Sequence, residues 1–201
     1  MGSVAVDHFE RLYRADPDPW RVASAWYERR KRGLLLAALG REFYRHALEP
    51  GCGTGELTRC LALRCARVCA VDAAPAATAR CSARVAGEGM DHVQVLTLDL
   101  PRQWPETPAA GFDLIVLSEV AYYLDGAALC RFLSAVDASL APDGEIVACH
   151  WRPDFDDRLQ NTDALHAAIG ALPGLSRSVH HVEDEFRLDA WRRHPQSGSH
   201  S

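Results

Sequence analysis

Hydrophobic and polar positions along the chain change their period several times, and these changes predict a series of strands and helices. Short apolar runs end near acidic residues, and stretches with apolar positions three and four residues apart follow them. The predicted strands cover residues 47–48, 66–72, 92–100, 112–120 and 145–151, and the predicted helices cover 24–40, 56–65, 75–84, 125–141 and 163–172. Strands that alternate with helices indicate a mainly parallel sheet with both faces covered.

Capping and helix-breaking residues set several of these boundaries. Ser24 is the predicted N-cap of the first long helix, and Gly40 is its predicted stop. Pro75 suits the first position of a helix, whereas Pro142 and Gly144 end the helix that precedes the fifth strand.

The two ends of the chain differ from this repeating pattern. Residues 1–25 are polar and include DPDPW, whose prolines favour a turn. Residues 176–184 and 185–193 are two extended segments with no helix between them, which predicts an antiparallel hairpin at the sheet edge. We therefore divide the chain into an N-terminal lid segment and helix (1–40), a core (41–193) and a flexible tail (194–201).

Composition and charge narrow the function classes. The 201 residues carry a net charge of -5, which argues against nucleic acid or an anionic membrane as a partner, because both call for a basic surface. We see no signal peptide and no apolar run near the ~20 residues that span a bilayer. The seven cysteines form no CxxC pair, which favours small buried side chains in a reducing compartment over a metal site. We expect a cytoplasmic monomer or weak homodimer without a metal.

The stretch EPGCGTG (49–55) joins a predicted strand to a predicted helix. Gly51, Gly53 and Gly55 allow the backbone to turn sharply and approach a ligand closely. Dinucleotide sites use the spacing G-x-G-x-x-G, whereas the spacing here is G-x-G-x-G, and Glu49 would repel a pyrophosphate. S-adenosylmethionine (AdoMet) has a sulfonium, an ammonium and no phosphate. The pattern therefore favours AdoMet over a nicotinamide dinucleotide.

Acidic residues also follow the next two strands. Asp72 is suited to accept hydrogen bonds from both ribose hydroxyls, although nicotinamide enzymes use the same device. Asp99 is suited to receive the adenine amino group, with the N–H of Leu100 directed at the ring. Either acid could instead be a simple strand-end cap, but three acids at successive strand ends are more specific than one.

Four segments then resemble one known family. EPGCGTG, AVDAAP, LTLDL and FDLIVLSEVAYYL are similar to the motifs of class I AdoMet-dependent methyltransferases over most of residues 45–150. This resemblance implies an α/β fold with a single Rossmann-like, doubly wound, mainly parallel seven-stranded sheet and an antiparallel C-terminal hairpin. The flanking DHFERLYRADPDPW, WYERRKR and CHWR resemble NodS-type methyltransferases. That narrower resemblance implies N-methylation of the free amine of a deacetylated chitooligosaccharide or related amino sugar.

Candidate residues near the acceptor lie at the ends of the fourth and fifth strands. Ser118, Glu119 and Tyr122 follow the fourth strand, next to the methyl group in the family that the chain resembles. We expect Glu119 and His150 to orient the acceptor or take its proton. The alternatives are a solvated or capping acid for Glu119 and a structural role for His150.

The N-terminal segment is expected to cover the cofactor. Trp20 and Tyr27 could shield it, and Arg30 is our choice among residues 29–32 for the AdoMet carboxylate, because an arginine can bind it bidentately. The expected cofactor-binding residues are Trp20, Tyr27, Arg30, Glu49, Gly51, Gly53, Gly55, Asp72, Ala73, Asp99, Leu100 and Ser118.

The acceptor itself leaves alternatives open. Short segments after Val120 and Trp151 predict an open cleft that would suit an oligosaccharide end. The expected sugar contacts are Tyr122, Tyr123, Trp151, Asp154 and Asp156, and surface or hairpin roles are expected for His166, His180 and His181. A methyltransferase of another small amine or hydroxyl metabolite, or a non-catalytic AdoMet-binding module, remains an alternative.

Overall fold

A computed structural model describes residues 3–194, so the predicted tail lies outside the described residues except for His194. The elements in chain order are α1 (Ser3–Ala15), α2 (Trp26–Ala38), β1 (Tyr44–Pro50), α3 (Thr58–Ala62), β2 (Cys65–Asp72), α4 (Pro75–Gly87), β3 (Val93–Thr97), β4 (Phe112–Ser118), α5 (Gly126–Ser139), β5 (Leu140–Trp151), α6 (Thr162–Gly170), β6 (Leu175–Val182) and β7 (Phe186–Arg193). A short 3-10 helix, Ala121–Tyr123, follows β4.

The strands form a seven-stranded sheet in the order β3-β2-β1-β4-β5-β7-β6. Strands β1 to β5 are parallel to one another, and β7 pairs antiparallel with both β5 and β6. The predicted fold class, including the C-terminal hairpin, is confirmed. The strand order reverses between β1 and β4, and in such sheets a ligand site lies beyond the carboxyl ends of the strands at the reversal.

The helix α1 was not predicted from the polar N-terminal segment. Phe9, Leu12 and Tyr13 share one face at a spacing of three and four residues, which is the signal that could have found it. Helix α1 packs on α4, where the Glu10 carboxylate accepts the backbone N–H of Ala76 at 2.9 Å. That carboxylate lies at the N-terminal turn of α4, a place where the helix dipole favours negative charge.

Three other boundaries also differ from prediction. Helix α2 begins after Ala25, which makes no side-chain cap bond, so Ser24 is not its N-cap. Helix α3 has only five residues, Thr58–Ala62, and is shorter than the predicted span 56–65. Strand β5 begins at Leu140, because a register shift opposite Phe112 and Leu114 lets Pro142 and Gly144 lie within the strand.

The core lies on both faces of the sheet. Strand β4 is buried on both faces, as expected for a central parallel strand, and its six residues from Phe112 to Leu117 are at most 2% exposed. Within residues 3–194, no helix is both long and apolar enough to cross a membrane.

Candidate functional site

A cavity of about 690 Å³ opens at the carboxyl ends of β1, β2, β4 and β5. Its floor contains Glu49, residues 51–54 of the glycine loop and Asp72, whereas Gly55 lies outside the lining, against Cys81. Its walls include Ser118, Glu119, Cys149 and Trp151. The N-terminal part of the chain closes the other side with residues from α1, from the loop before α2 and from α2 itself. Most of the residues expected to bind the cofactor are therefore brought together.

The glycine loop needs its glycines. All three adopt positive φ angles, at 75° for Gly51, 53° for Gly53 and 85° for Gly55, which side chains disfavour. A Cβ atom on Gly51 would lie 2.9 Å from the Cβ of Val120, and one on Gly53 would lie 2.8 Å from the Tyr13 hydroxyl. The loop thus forms a cradle that an added side chain would obstruct.

Glu49 is buried at the end of β1, and only 2% of its surface is exposed. The Thr58 hydroxyl donates to its carboxylate at 2.6 Å. Burial raises the pKa of Glu49 to about 8, although the Thr58 hydrogen bond opposes this shift. The carboxyl group is therefore protonated at neutral pH unless a cation comes close to it.

Asp72 shapes the loop as well as lining the cavity. One carboxylate oxygen accepts the Gly53 N–H at 2.9 Å, and the other accepts the Ala74 N–H at 2.9 Å. Burial raises the pKa of Asp72, and these backbone donors oppose it. Ala73 lies beside it on the cavity wall.

Asp99 and Leu100 follow β3 and are not among the residues that line the cavity. Asp99 is half-buried, its backbone N–H donates to Gln103, and Arg102 lies 3.6 Å from its carboxylate. Their assignment to adenine remains a prediction.

The basic residues 29–32 on α2 do not all face the same way: some line the cavity and others lie outside it. Arg30 forms a bidentate pair with Glu183 at 2.6 and 2.7 Å and does not line the cavity. Its position therefore does not fit the predicted binding of the AdoMet carboxylate. Arg32 does line the cavity, where it donates to the Val22 carbonyl at 3.1 Å. Helical period alone could not tell which arginine faces inward.

Lys31 and Glu119 join α2 to the strand ends. The Lys31 ammonium lies 2.6 Å from Glu119 and 3.0 Å from Glu28, and Lys31 is only 5% exposed. Burial alone would lower the pKa of Lys31, but the two carboxylates outweigh it and raise the pKa. No sequence pattern marked this lysine as buried, because charged runs on helices usually face solvent.

Glu119 has its carboxylate fully engaged. Besides Lys31, the Tyr122 hydroxyl and the Trp151 N–H both donate to it, the latter at 3.0 Å. Its φ of 55° is rare for a residue other than glycine and turns the chain where β4 meets the cavity. Glu119 thus lines the cavity as a fixed anchor for its neighbours.

His150 lies on the far side of β5 from the cavity, which contradicts its predicted contact with the acceptor. Neighbouring residues on a strand face opposite ways, so Cys149 and Trp151 line the cavity and His150 cannot. Its Nδ1 lies 3.0 Å from Nε2 of His166, whose Nδ1 lies 2.7 Å from Asp189. Burial lowers the pKa of His150 well below its usual range. His166 is likewise buried, contrary to the expected surface role.

Aromatic side chains surround the mouth of the cavity. Trp20 lines it, and the Tyr13 ring contacts Trp20 edge-on at 5.4 Å. Tyr27 packs edge-on against Trp151 at 5.6 Å, and its buried hydroxyl has no hydrogen-bond partner within the described chain. An orphaned hydroxyl on the wall and a glycine cradle on the floor fit a polar ligand such as AdoMet.

The predicted open cleft is covered in part by α1. Phe9 contacts Tyr123 at a ring separation of 4.8 Å, and His8 lies 3.3 Å from Asp157. Tyr122, Tyr123, Phe155 and Asp156 line this side, whereas Asp154 pairs with Arg158 outside the cavity.

The sequence matches a known family profile, that of nodulation protein S (NodS), over residues 6–169. A nodulation protein S of Sinorhizobium fredii (strain NBRC 101917 / NGR234) is 36% identical over 146 residues, which is 71% of this chain. The match spans 65% of that relative's own length, slightly under two thirds.

Two crystal structures are also similar. A candidate methyltransferase from Pseudomonas syringae is 44% identical, with a TM-score of 0.73 over 84% of this chain and 100% of that one. The N-methyltransferase NodS from Bradyrhizobium japonicum WM9, in complex with S-adenosylhomocysteine, has a TM-score of 0.80 at 26% identity. That alignment covers 94% of this chain and 97% of the NodS chain.

Proposed function

The chain belongs to the nodulation protein S family and to the AdoMet-dependent methyltransferases, and on that premise we propose that it N-methylates the free amine of a deacetylated chitooligosaccharide or related amino sugar. The observation that carries the proposal is a single cavity that joins a cofactor floor to an aromatic and acidic acceptor wall. When bound, AdoMet would supply an electrophilic methyl group on a sulfonium.

The cofactor would be held by residues of the cavity floor. Glu49 offers a carboxylate to the ammonium, Asp72 offers one to the ribose hydroxyls, and the glycine loop allows close approach of the backbone. Arg32, rather than Arg30, is the arginine that we assign to the cofactor carboxylate.

Alignment of the amine with the methyl group is the main task of the protein. Orientation of this kind can contribute about 7–11 kcal/mol to lowering a barrier. Glu119 already accepts three donors, so we assign it to fixing Tyr122, Trp151 and Lys31 around the acceptor rather than to taking a proton. The amine must lose its proton to react, and because its own pKa lies near neutrality, water can suffice as the acceptor.

The outer wall of the cavity suits an amino sugar. Tyr122, Tyr123, Trp151 and Phe155 offer aromatic surface to the apolar faces of sugar rings. Asp156 and Asp157 add negative charge that attracts a cationic amine. A neutral N-acetylated sugar lacks that attraction.

A second candidate is a smaller amine or hydroxyl metabolite. The contacts of α1 with Tyr123 and Asp157 narrow the mouth, which favours a small acceptor. Labelled-methyl transfer to deacetylated chitooligosaccharides of several lengths, beside glucosamine and simple amines, separates the two. We expect turnover of a glycan, and turnover of simple amines alone would move the assignment to the second candidate.

The two arginines on α2 provide a matched pair for testing the cofactor site. Arg32→Met should weaken S-adenosylhomocysteine binding by about 1–3 kcal/mol, because a charge-assisted hydrogen bond is lost. Arg30→Met should leave the affinity within about twofold, since Arg30 pairs with Glu183 away from the cavity. Isothermal calorimetry measures both, and the reverse order of effects would restore Arg30 as the ligand.

Binding should also release a proton from Glu49. With a pKa of about 8, this carboxyl group holds a proton at pH 7 in the free protein and gives it up beside a bound ammonium. Affinity for S-adenosylhomocysteine should therefore rise by up to about tenfold as the pH increases from 6 to 7. Calorimetry in two buffers of different ionisation enthalpy measures the number of protons that are released on binding.

The stability of the free protein has the opposite pH dependence at this group. The unfolded chain releases the Glu49 proton near pH 4.3, whereas the folded chain keeps it until about pH 8, so folding is weakened as the pH rises through this window. Glu49→Gln keeps the contact with Thr58 and should remove both effects. Binding heats that do not depend on the buffer in the wild type would contradict the assignment.

A further inference from the structure

Two thiols meet behind the glycine loop and have no part in the proposed reaction. Cys52 lies between Gly51 and Gly53 and lines the cavity. Cys81 lies on α4 and is fully buried. The two side chains pack in one small cluster with Ala70 and Val85, and all seven cysteines of the chain are free thiols.

The backbone around Cys52 lies close to Cys81. The N–H of Gly55 donates to the Cys52 carbonyl at 3.0 Å, which closes the loop on itself. A Cβ atom on Gly55 would lie 2.8 Å from the Cys81 sulfur and 3.3 Å from its Cα. A disulfide needs Cα atoms within about 7 Å of each other, and the packing of Cys52 and Cys81 in one cluster makes them the candidate pair.

The thiol pair is also connected to the floor of the cavity. The Cys81 sulfur lies 3.7 Å from the Thr58 hydroxyl, and this hydroxyl donates to Glu49 at 2.6 Å. Interaction with the neighbouring Cys52 thiol lowers the pKa of Cys81, and burial opposes this shift. Cys81 is thus the better thiolate, while Cys52 is the one that a small molecule in the cavity can reach.

We propose that Cys52 and Cys81 are a redox modification site, at which a hydroperoxide in the cavity forms a disulfide that blocks cofactor binding. The Cys52 sulfur attacks the peroxide O–O bond, and its proton passes to the leaving oxygen, which gives a sulfenic acid on Cys52 and an alcohol or water. The Cys81 sulfur then attacks the Cys52 sulfur, which forms the S–S bond and releases water. Two thiols are oxidised by two electrons, and one peroxide is reduced.

The disulfide would distort the cradle. A sulfur–sulfur bond of about 2 Å is much shorter than the contact between two free thiols, so the loop must move toward α4. That movement displaces Gly51 and Gly53 and breaks the contact of Cys81 with Thr58. A reductant restores the thiols and the site.

Peptide mapping of the wild-type protein after hydrogen peroxide treatment tests the site directly. Trypsin places Cys52 in residues 46–59 and Cys81 in residues 81–84, so the predicted product is one linked peptide pair lacking two hydrogens. Calorimetry should show S-adenosylhomocysteine affinity reduced by at least about tenfold, with recovery in dithiothreitol. Saturation with S-adenosylhomocysteine before treatment should prevent the link, because it occupies the route to Cys52.

Two variants complete the test. Cys81→Ser should bind S-adenosylhomocysteine after peroxide as well as before it, whereas Cys130→Ser, which removes an exposed thiol on α5, should respond as the wild type does. Oxidation of Cys130 without the linked pair in the wild type would overturn the proposal, as would a linked pair with unchanged affinity. None of these measurements depends on methyl transfer, so failure of the acceptor assignment would leave them interpretable.

Discussion

Asp72→Ala should weaken the binding of S-adenosylhomocysteine by about 5–150-fold, or roughly 1–3 kcal/mol. Two losses combine in this variant. The carboxylate that we assign to the ribose hydroxyls disappears, and the N–H groups of Gly53 and Ala74 lose their acceptors, so the loop is no longer held in its binding shape.

Isothermal calorimetry measures this loss, and two variants isolate its cause. Asp72→Asn keeps the size of the side chain and one acceptor oxygen, so its effect should be smaller than that of Asp72→Ala. Asp91→Ala changes an exposed aspartate before β3, at the opposite end of the strands, and should leave the affinity unchanged. If the affinity of Asp72→Ala for S-adenosylhomocysteine stays within about twofold of the wild type, Asp72 acts only as a strand-end cap.

Asp189→Ala should lower the free energy of unfolding by about 3–5 kcal/mol, because it leaves buried donors without their acceptor. Asp189 is fully buried and accepts hydrogen bonds from His166 at 2.7 Å, His180 at 2.6 Å and Arg187 at 2.6 Å. Burial alone would raise the pKa of Asp189, but these three donors outweigh it and hold the pKa well below its usual range.

A matched control comes from the other partner of Arg187. Asp163 pairs with the same guanidinium at 2.9 Å but is half exposed, so Asp163→Ala should cost less than about 1 kcal/mol. Urea unfolding at pH 7 measures both variants. Equal losses in the two variants would mean that the buried network adds nothing beyond an ordinary surface pair.

The parts of the fold that were predictable depend on local period and on strand-end chemistry. Alternation of strands and helices indicated the parallel sheet, and acids at the ends of β1 and β2 indicated the end of the sheet at which the cavity opens. Both patterns can be read in the sequence because a central strand must be apolar on both faces and a ligand site must be polar at its rim.

The features of the site that the sequence did not predict depend on the direction in which side chains point. The period of a strand says that His150 and Trp151 face opposite ways, but it does not say which of them faces the cavity. The same ambiguity on α2 separates Arg30 from Arg32. Lys31 is hidden for another reason, since its burial depends on Glu119, which lies 88 residues away in the chain. Contacts at that distance leave no local pattern.

The position of β7 has a consequence for the way the protein is made. Its residues 186–193 leave the ribosome after all the other strands, yet they fill the place between β5 and β6. Until they arrive, β5 has an unpaired edge that could join another nascent chain. Because β6 and β7 are neighbours in sequence, they can form a hairpin first and add to β5 as one unit. Completion of the wall that carries Cys149 and Trp151 is therefore a late step of biosynthesis.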